Sequence, residues 1–158
     1  MPNKTDTPAS LLKEEQQATL GLLSSLQQEQ VALLQSNNAL TPEIITIKAE
    51  TISLMAHFAE KRHTILESLG FEASEQGMQS WIDQDGNADI LSTWKQILET
   101  ATAARELNRL NGMLISKQLA FNQNTLDILQ GKPLGGSNFY GPDGQSNLKP
   151  GGRTLGIG

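Results

Sequence analysis

The sequence of 158 residues contains no cysteine, a single valine and only 4% aromatic residues. The absence of cysteine excludes disulfide scaffolds, cysteine-ligated zinc, iron–sulfur clusters and thiol nucleophiles, and it favours a reducing compartment. Strands are rich in β-branched and aromatic residues, so one valine beside 23 leucines disfavours sheets and favours helices. The composition therefore predicts an all-α protein of about one domain's size.

The sequence also lacks long apolar runs and an excess of basic residues. No segment approaches the roughly 18 apolar residues that cross a bilayer, and the polar first ten residues lack the basic and apolar regions of a signal peptide. The net charge of −5 and pI near 5.0 disfavour binding to a nucleic-acid backbone, which usually requires a clustered basic face. We therefore expect a cytoplasmic protein that neither binds nucleic acid nor inserts into a membrane.

Proline is absent between Pro42 and Pro133, whereas the last 28 residues hold nine of the 14 glycines and three of the six prolines. This change in composition predicts a helical bundle domain over residues 1–130 and a Gly/Pro-rich flexible tail over residues 131–158. The net charge is −7 in the first segment and +2 in the second. Opposite signs would allow the tail to lie on the bundle.

The first helix is predicted to begin at Thr7 and Pro8, which have the residue types of an N-cap and a first helical position. Glu14 and Glu15 follow near its start, where the helix dipole favours acids. The apolar residues expected to face the core are Leu12, Leu22, Leu23, Leu26, Leu33 and Leu34.

The second helix is predicted to begin with the same signals at Thr41, Pro42 and Glu43, and Gly70 is expected to end it. Its expected core-facing residues are Ile45, Ile52, Met55, Phe58, Ile65, Leu66 and Leu69. A short turn containing Asn37 and Asn38 joins the two helices, so we expect them to be antiparallel neighbours.

A short helix over residues 75–83 is predicted to offer Met78, Trp81 and Ile82 to the end of the bundle. A capping Asp89 then opens a long last helix that continues to Gly131. The predicted fold is all-α: an elongated antiparallel bundle of three long helices plus a short helix, followed by the Gly/Pro-rich tail.

His57, Glu60 and His63 have the spacing of a possible metal site, but the chain has only these two histidines. A di-iron bundle needs a second Glu-x-x-His pair on another helix, so ordinary surface side chains are the favoured interpretation. A histidine-phosphotransfer helix would carry Lys three residues after the reactive histidine. Here Glu60 and Leu66 occupy those positions, which disfavours that function.

The segment from Asp83 to Asp89 resembles a calcium loop, but Trp81 stands where an EF-hand requires an acid. A polar turn before a helix is therefore the favoured interpretation. Serines and threonines lack a nearby base in a recognisable arrangement, and no glycine loop follows a strand. We predict neither an enzyme nor a bound cofactor.

The last helix carries two apolar stripes. The first consists of Leu107, Leu110, Leu114, Phe121 and Ile128, and the second of Ile115, Leu119, Leu126 and Leu129. One stripe, here the first, suffices to dock the helix on the bundle. The second stripe either widens the internal core or binds a partner helix, and the pattern leaves both interpretations open. Asn108, Asn111 and Gly112 lie on this second face, and the glycine indicates a close backbone approach or a kink.

Two short segments, NRLNGMLI at residues 108–115 and FYGPDG at residues 139–144, resemble the FlgN-like family of bacterial flagellar export chaperones. The resemblance implies a cytosolic chaperone, without enzymatic activity or cofactor, that binds the C-terminal segments of hook-associated proteins at the hook–filament junction. It also implies that the chaperone prevents their premature association and delivers them to the flagellar type III export gate.

The resemblance further implies which residues act. The residues that would bind the substrate protein are Asn108, Asn111, Gly112, Ile115, Leu119, Asn122, Leu126 and Leu129. Tyr140, the only tyrosine, would contact the export gate. No small-molecule substrate is implied. Two alternatives stay open: a chaperone or adaptor of a related secretion system, and a structural helical protein that self-assembles.

Overall fold

The computed structural model describes residues 6–35 and 40–132, which form four helices and no strand. The helices are α1, Leu12–Leu34; α2, Pro42–Ser68; α3, Glu75–Asp85; and α4, Ala88–Leu129. The prediction of an all-α fold with three long helices and one short helix is confirmed. Over the described ranges, none of the helices combines the length and apolar character needed to span a membrane. By compactness the chain divides into two units, Met1–Ser116 and Lys117–Gly158.

The predicted start of the first helix is wrong. α1 begins at Leu12, and the residues before it form turns in which the Ser10 amide donates to the Thr7 carbonyl over 2.9 Å. Pro8 is buried in this turn and does not occupy the first helical position. Glu14 and Glu15 lie in the first turn of α1, as predicted.

The start and end of α2 are as predicted. The Thr41 hydroxyl accepts a hydrogen bond from the Ile44 amide at 3.4 Å, and Pro42 is the first helical residue. After the helix, Gly70 takes a φ of 83°, a left-handed conformation that glycine adopts without a steric penalty. The segment with Asn37 and Asn38 lies outside the described residues.

Two ion pairs show that α1 and α2 are antiparallel neighbours, as predicted. Glu15 near the start of α1 pairs with Arg62 near the end of α2, at 3.0 Å. Glu29 near the end of α1 pairs with Lys48 near the start of α2, at 3.1 Å. Both carboxylates are buried, so the pairs lie between the helices and not on their outer surface.

An apolar cluster closes one end of the first unit, where α3 and the start of α4 meet α1 and α2. Its buried members are Leu12, Leu66, Met78, Ile82, Trp94 and Ile97. Trp81 packs against this cluster while partly exposed, so the predicted contribution of α3 to the end of the bundle is confirmed. Each fully buried aliphatic side chain contributes about 1.5–3 kcal/mol relative to exposure.

Several leucines and isoleucines expected in the core are exposed: Leu34, Ile45, Ile52 and Leu69. On α2 the reason is the rotation of the helix. Lys48 and Thr51 face α1 instead, where Lys48 reaches Glu29 and the Thr51 hydroxyl lies 3.4 Å from that of Ser25. The polar residues of α2 thus occupy part of the interface that its isoleucines were expected to fill.

The cap of α4 also differs from the prediction. Oδ1 of Asn87 accepts hydrogen bonds from the amides of Asp89 at 2.9 Å and Ile90 at 3.2 Å, so Asn87 supplies the capping oxygen. Asp89 lies in the first turn instead. α4 ends at Leu129, followed by Gly131 with a φ of 66°.

Candidate functional site

The side chain of Asn111 joins α4 to α1 inside the first unit. It is completely buried, and its Nδ2 donates to the Leu26 carbonyl and to Oε2 of Glu29, both at 2.9 Å. The family resemblance implies that Asn111 binds the substrate protein directly, but the structure turns its side chain inward. It is therefore not available for direct contact with a partner in this conformation, and the prediction for this residue is corrected to an internal role.

Glu29 connects three helices through polar contacts. Its carboxylate, on α1, accepts from Asn111 on α4 and from Nζ of Lys48 on α2 at 3.1 and 3.2 Å. Burial of a carboxylate is costly unless cations and donors surround it, and here one cation and one amide do so. This arrangement fixes which side of α4 faces α1.

A second polar group lies two heptads earlier on α1. Glu15 accepts hydrogen bonds from Nε and Nη2 of Arg62, with the closest contacts at 3.0 Å. The Arg62 guanidinium also lies over the Trp94 ring of α4, 4.7 Å from the ring centroid. Glu15 was predicted only as an acid at a helix start, so its role in a buried three-helix contact was missed.

In the first unit, the predicted binding face of α4 is represented by Asn108, Gly112 and Ile115. Asn108 and Gly112 are exposed and Ile115 is partly buried. A Cβ added at Gly112 would meet no heavy atom within 4 Å. The expected close backbone approach at this glycine therefore does not occur within the described chain.

In the second unit, the predicted face is exposed along its whole described length. Leu119 is 64% exposed, Leu126 49% and Leu129 77%, and Asn122 between them is also exposed. The core interpretation of these three leucines, which the sequence left open, does not hold in this structure. They form a surface of large apolar side chains.

The other apolar stripe of α4 changes character along the helix. Leu107 and Leu114 are partly buried and Leu110 is 38% exposed, whereas Phe121 is 71% exposed and Ile128 59%. This stripe is the one expected from its spacing to dock the helix on the bundle. The exposed Phe121 and Ile128 widen the apolar surface of the second unit beyond the predicted binding residues.

The histidines of α2 face different surroundings. His57 lines a groove of about 600 Å³ with Asp6, Glu60 and Lys61. His63 is partly buried, and its Nε2 has no hydrogen-bond partner among the residues that the structure describes. Within residues 6–35 and 40–132, no cluster of three or more His, Cys, Asp or Glu side chains is placed to hold a metal ion.

One exposed ion pair lies on α4 beside the predicted face. Arg109 donates to Glu106 through Nε at 2.9 Å and Nη2 at 2.6 Å. These hydrogen bonds lower the pKa of Glu106 and raise that of Arg109. Tyr140, the predicted export-gate contact, lies outside the described residues.

Comparison with protein families identifies the family of the chain. The FlgN protein family model matches residues 1–147. The chain belongs to the FlgN family. The match covers both segments that suggested the resemblance, residues 108–115 and 139–144.

Curated FlgN relatives agree with this assignment. The Flagella synthesis protein FlgN of Salmonella typhimurium is 29% identical over 106 residues, which cover 66% of this chain and 74% of the relative. The protein of the same name from Escherichia coli is 28% identical over 106 residues, with the same coverage. That of Proteus mirabilis is 28% identical over 104 residues, covering 66% of this chain and 64% of the relative. No solved structure matches the chain significantly.

Proposed function

We propose that this FlgN-family chain is a cytoplasmic chaperone of flagellum synthesis that binds the C-terminal segments of hook-associated proteins. It prevents their premature association and delivers them to the flagellar type III export gate. The observation that carries the proposal is the exposed apolar surface of α4 formed by Leu119, Leu126 and Leu129. Large contiguous apolar surfaces on soluble proteins mark sites of interaction.

The occupant we propose is an amphipathic helix that the client segment forms on binding. Leu119 and Leu126 are seven residues apart on α4, so their side chains lie on one side of the helix. An amphipathic helix from a partner packs its own apolar residues against such a row. Because a disordered segment loses conformational entropy when it folds, the affinity stays moderate and release at the gate stays feasible.

The predicted binding residues then divide by role. In the second unit, Leu119, Leu126 and Leu129 supply apolar contact, and the exposed Asn122 lies among them in sequence. In the first unit, Ile115 supplies apolar contact, and Asn108 and Gly112 are exposed. The empty space beside Gly112 leaves room for a client side chain. Asn111 supports the first-unit residues of the site indirectly because it holds α4 against α1. Tyr140 contacts the export gate, a role proposed from the family resemblance alone.

Isothermal titration of the full chain tests this function. The probes are C-terminal fragments of the hook-associated proteins of the same organism, with the flagellin C-terminal fragment as control. We expect micromolar or tighter binding to one or more hook-associated fragments, with a negative heat-capacity change from apolar burial, and no binding to flagellin. Absence of binding to every hook-associated fragment would overturn the proposal.

Two variants locate the surface. Leu126→Asp places a charge in the proposed contact and should abolish binding with the bundle still folded, because this side chain is half exposed in the free protein. Leu54→Asp on α2 is the matched control, since Leu54 is 46% exposed and lies on another helix. Equal loss of binding in both variants would contradict the assignment to α4.

A further inference from the structure

The spacing of residues on the exposed part of α4 follows a coiled-coil repeat. Leu119, Asn122, Leu126 and Leu129 are separated by three, four and three residues, and all four are exposed. A regular 3.5-residue repeat of this kind forms the seam along which two helices pack knobs into holes. We call these four residues the heptad seam. Asn122 is its one polar member.

The residues beside the heptad seam carry no charge. In a coiled coil, the positions flanking the seam usually hold charged residues, which select the partner and its orientation through interhelical ion pairs. Here the flanking residues are Gln118, Gln123, Thr125 and Gln130. Ion pairs from these flanking positions therefore cannot select the alignment of a partner helix. The residues of the heptad seam must distinguish one alignment from another.

A polar residue within an apolar seam can distinguish one alignment of two packed helices from another. An asparagine at an a position of a coiled coil fixes the alignment of two helices. Asn122 is at a d position by its spacing, and the same physical reason applies there, because any other alignment buries its amide against hydrocarbon without hydrogen bonds. Leucines alone tolerate a shift of one heptad, since Leu119 would then take the environment of Leu126. Asn122 distinguishes these alignments, because its amide finds a hydrogen-bond partner in only one of them.

We infer that Asn122 sets the register of the client helix by hydrogen bonding to one polar side chain in the client's otherwise apolar repeat. The inference rests on the proposed function and makes it more specific. The client segment should form a helix with a 3.5-residue apolar repeat, uncharged flanks and a single Asn or Gln facing Asn122. Asn122 acts as a specificity-determining residue, at some cost in affinity.

Synthetic helices of about 20 residues test the inference with the full-length chain. The reference peptide has leucine at every seam position and uncharged flanks, and its variants place one asparagine at each seam position in turn. We expect the wild-type chain to bind one asparagine peptide about tenfold more tightly than the all-leucine peptide, because the buried amides pair. Asn122→Leu should reverse this preference.

Asn124→Leu is the matched control, since Asn124 is exposed on the opposite side of α4 and should keep the wild-type preference. Three results would overturn the inference: a wild-type preference for the all-leucine peptide, a preference that Asn122→Leu leaves unchanged, or an equal effect of Asn124→Leu. A client-free dimer that Asn122→Leu alters would also overturn it, because the occupant would then be a second copy of the chain.

Hook-associated fragments separate this inference from the proposed function. If no hook-associated fragment binds the wild-type chain, the proposed function is wrong, whatever the result with the synthetic helices. If the fragments bind the wild-type chain and Asn122→Leu with equal affinity, only the inference that Asn122 sets the register is wrong. Support for both requires that Asn122→Leu weaken fragment binding about tenfold and that one polar-to-leucine change in the fragment restore it.

Discussion

Asn111 donates a hydrogen bond from Nδ2 to Oε2 of Glu29 at 2.9 Å and so joins α4 to α1 inside the bundle. The same nitrogen donates to the Leu26 carbonyl, and Glu29 is paired with Lys48 of α2. A single amide thus completes a polar contact among all three long helices. Such contacts specify one packing arrangement, because rotation of α4 would leave a buried carboxylate short of a donor.

Replacing Asn111 should therefore destabilise the fold. Asn111→Leu removes both hydrogen bonds and leaves Glu29 with Lys48 alone, so we expect a loss of about 1–3 kcal/mol in the free energy of unfolding. Urea denaturation measures this. Asn108→Leu is the control, because Asn108 is exposed on the same helix and should change stability little. Equal effects of the two substitutions would contradict the internal role of Asn111.

The buried pair of Glu15 and Arg62 predicts a second pattern of stabilities. Arg62→Met leaves the Glu15 carboxylate buried without its cation and should cost about 3–5 kcal/mol in the free energy of unfolding. The double variant Glu15→Leu/Arg62→Met should recover most of this loss, since an apolar pair of similar volume carries no desolvation penalty. Chemical denaturation of the single and double variants measures the difference.

The exposed pair of Glu106 and Arg109 supplies the control for that experiment. Both side chains are 57% exposed, so water and salt screen their attraction. Arg109→Met should therefore change the stability far less than Arg62→Met. A double variant of the buried pair as unstable as Arg62→Met alone would show that the loss came from packing and not from the uncompensated charge.

Local signals predicted the helices, but the orientation of the helices depended on distant residues. Thr41 and Pro42 start α2 as expected, because capping involves only residues within one turn. Asn111 could not be placed correctly in the same way, since its acceptors, Leu26 and Glu29, lie on another helix. Its position on α4 allowed either an inward or an outward interpretation.

The candidate site was partly predictable for a similar reason. The spacing of Leu119, Leu126 and Leu129 identified an apolar stripe, but spacing alone does not distinguish a core face from a binding face. The structure shows that these side chains are exposed. Phe121 belongs to the stripe expected to dock the helix on the bundle. It is exposed because no described helix packs against it, and the local sequence pattern carries no information on neighbouring helices.

Two glycines should respond in opposite ways to alanine. A Cβ at Gly77 would overlap the Glu72 carbonyl oxygen and lie 2.7 Å from the carbonyl carbon, so Gly77→Ala should cost about 1–3 kcal/mol in stability through overpacking. Gly112→Ala meets open space in a helix interior and should add about 0.5–1 kcal/mol. Thermal unfolding measures both. A stabilised Gly77→Ala variant would contradict the close approach of Glu72.

The pH dependence of the Glu106 and Arg109 pair has a definite sign. Hydrogen bonding to Arg109 lowers the pKa of Glu106 in the folded chain, so the stability it contributes is present above the unfolded-state pKa and is lost as the pH falls through the folded-state pKa. Arg109→Gln should return the Glu106 pKa towards its ordinary value. NMR titration of the Glu106 carboxyl measures this, and an unchanged pKa in the variant would contradict the assigned cause.

Tyr140 provides a test that separates delivery from client binding. If the tyrosine contacts the export gate, Tyr140→Ala removes an aromatic anchor and should reduce secretion of hook-associated proteins severalfold or more, since such anchors dominate many interfaces. Titration with client fragments should give wild-type affinity, because the proposed client surface lies on α4.

Tyr140→Phe, which keeps the ring, separates ring packing from hydroxyl bonding and should retain most secretion if packing dominates. The measurement is the amount of hook-associated protein in the culture medium of cells carrying each variant. Normal secretion with Tyr140→Ala, or a parallel loss of client binding, would contradict a separate gate contact.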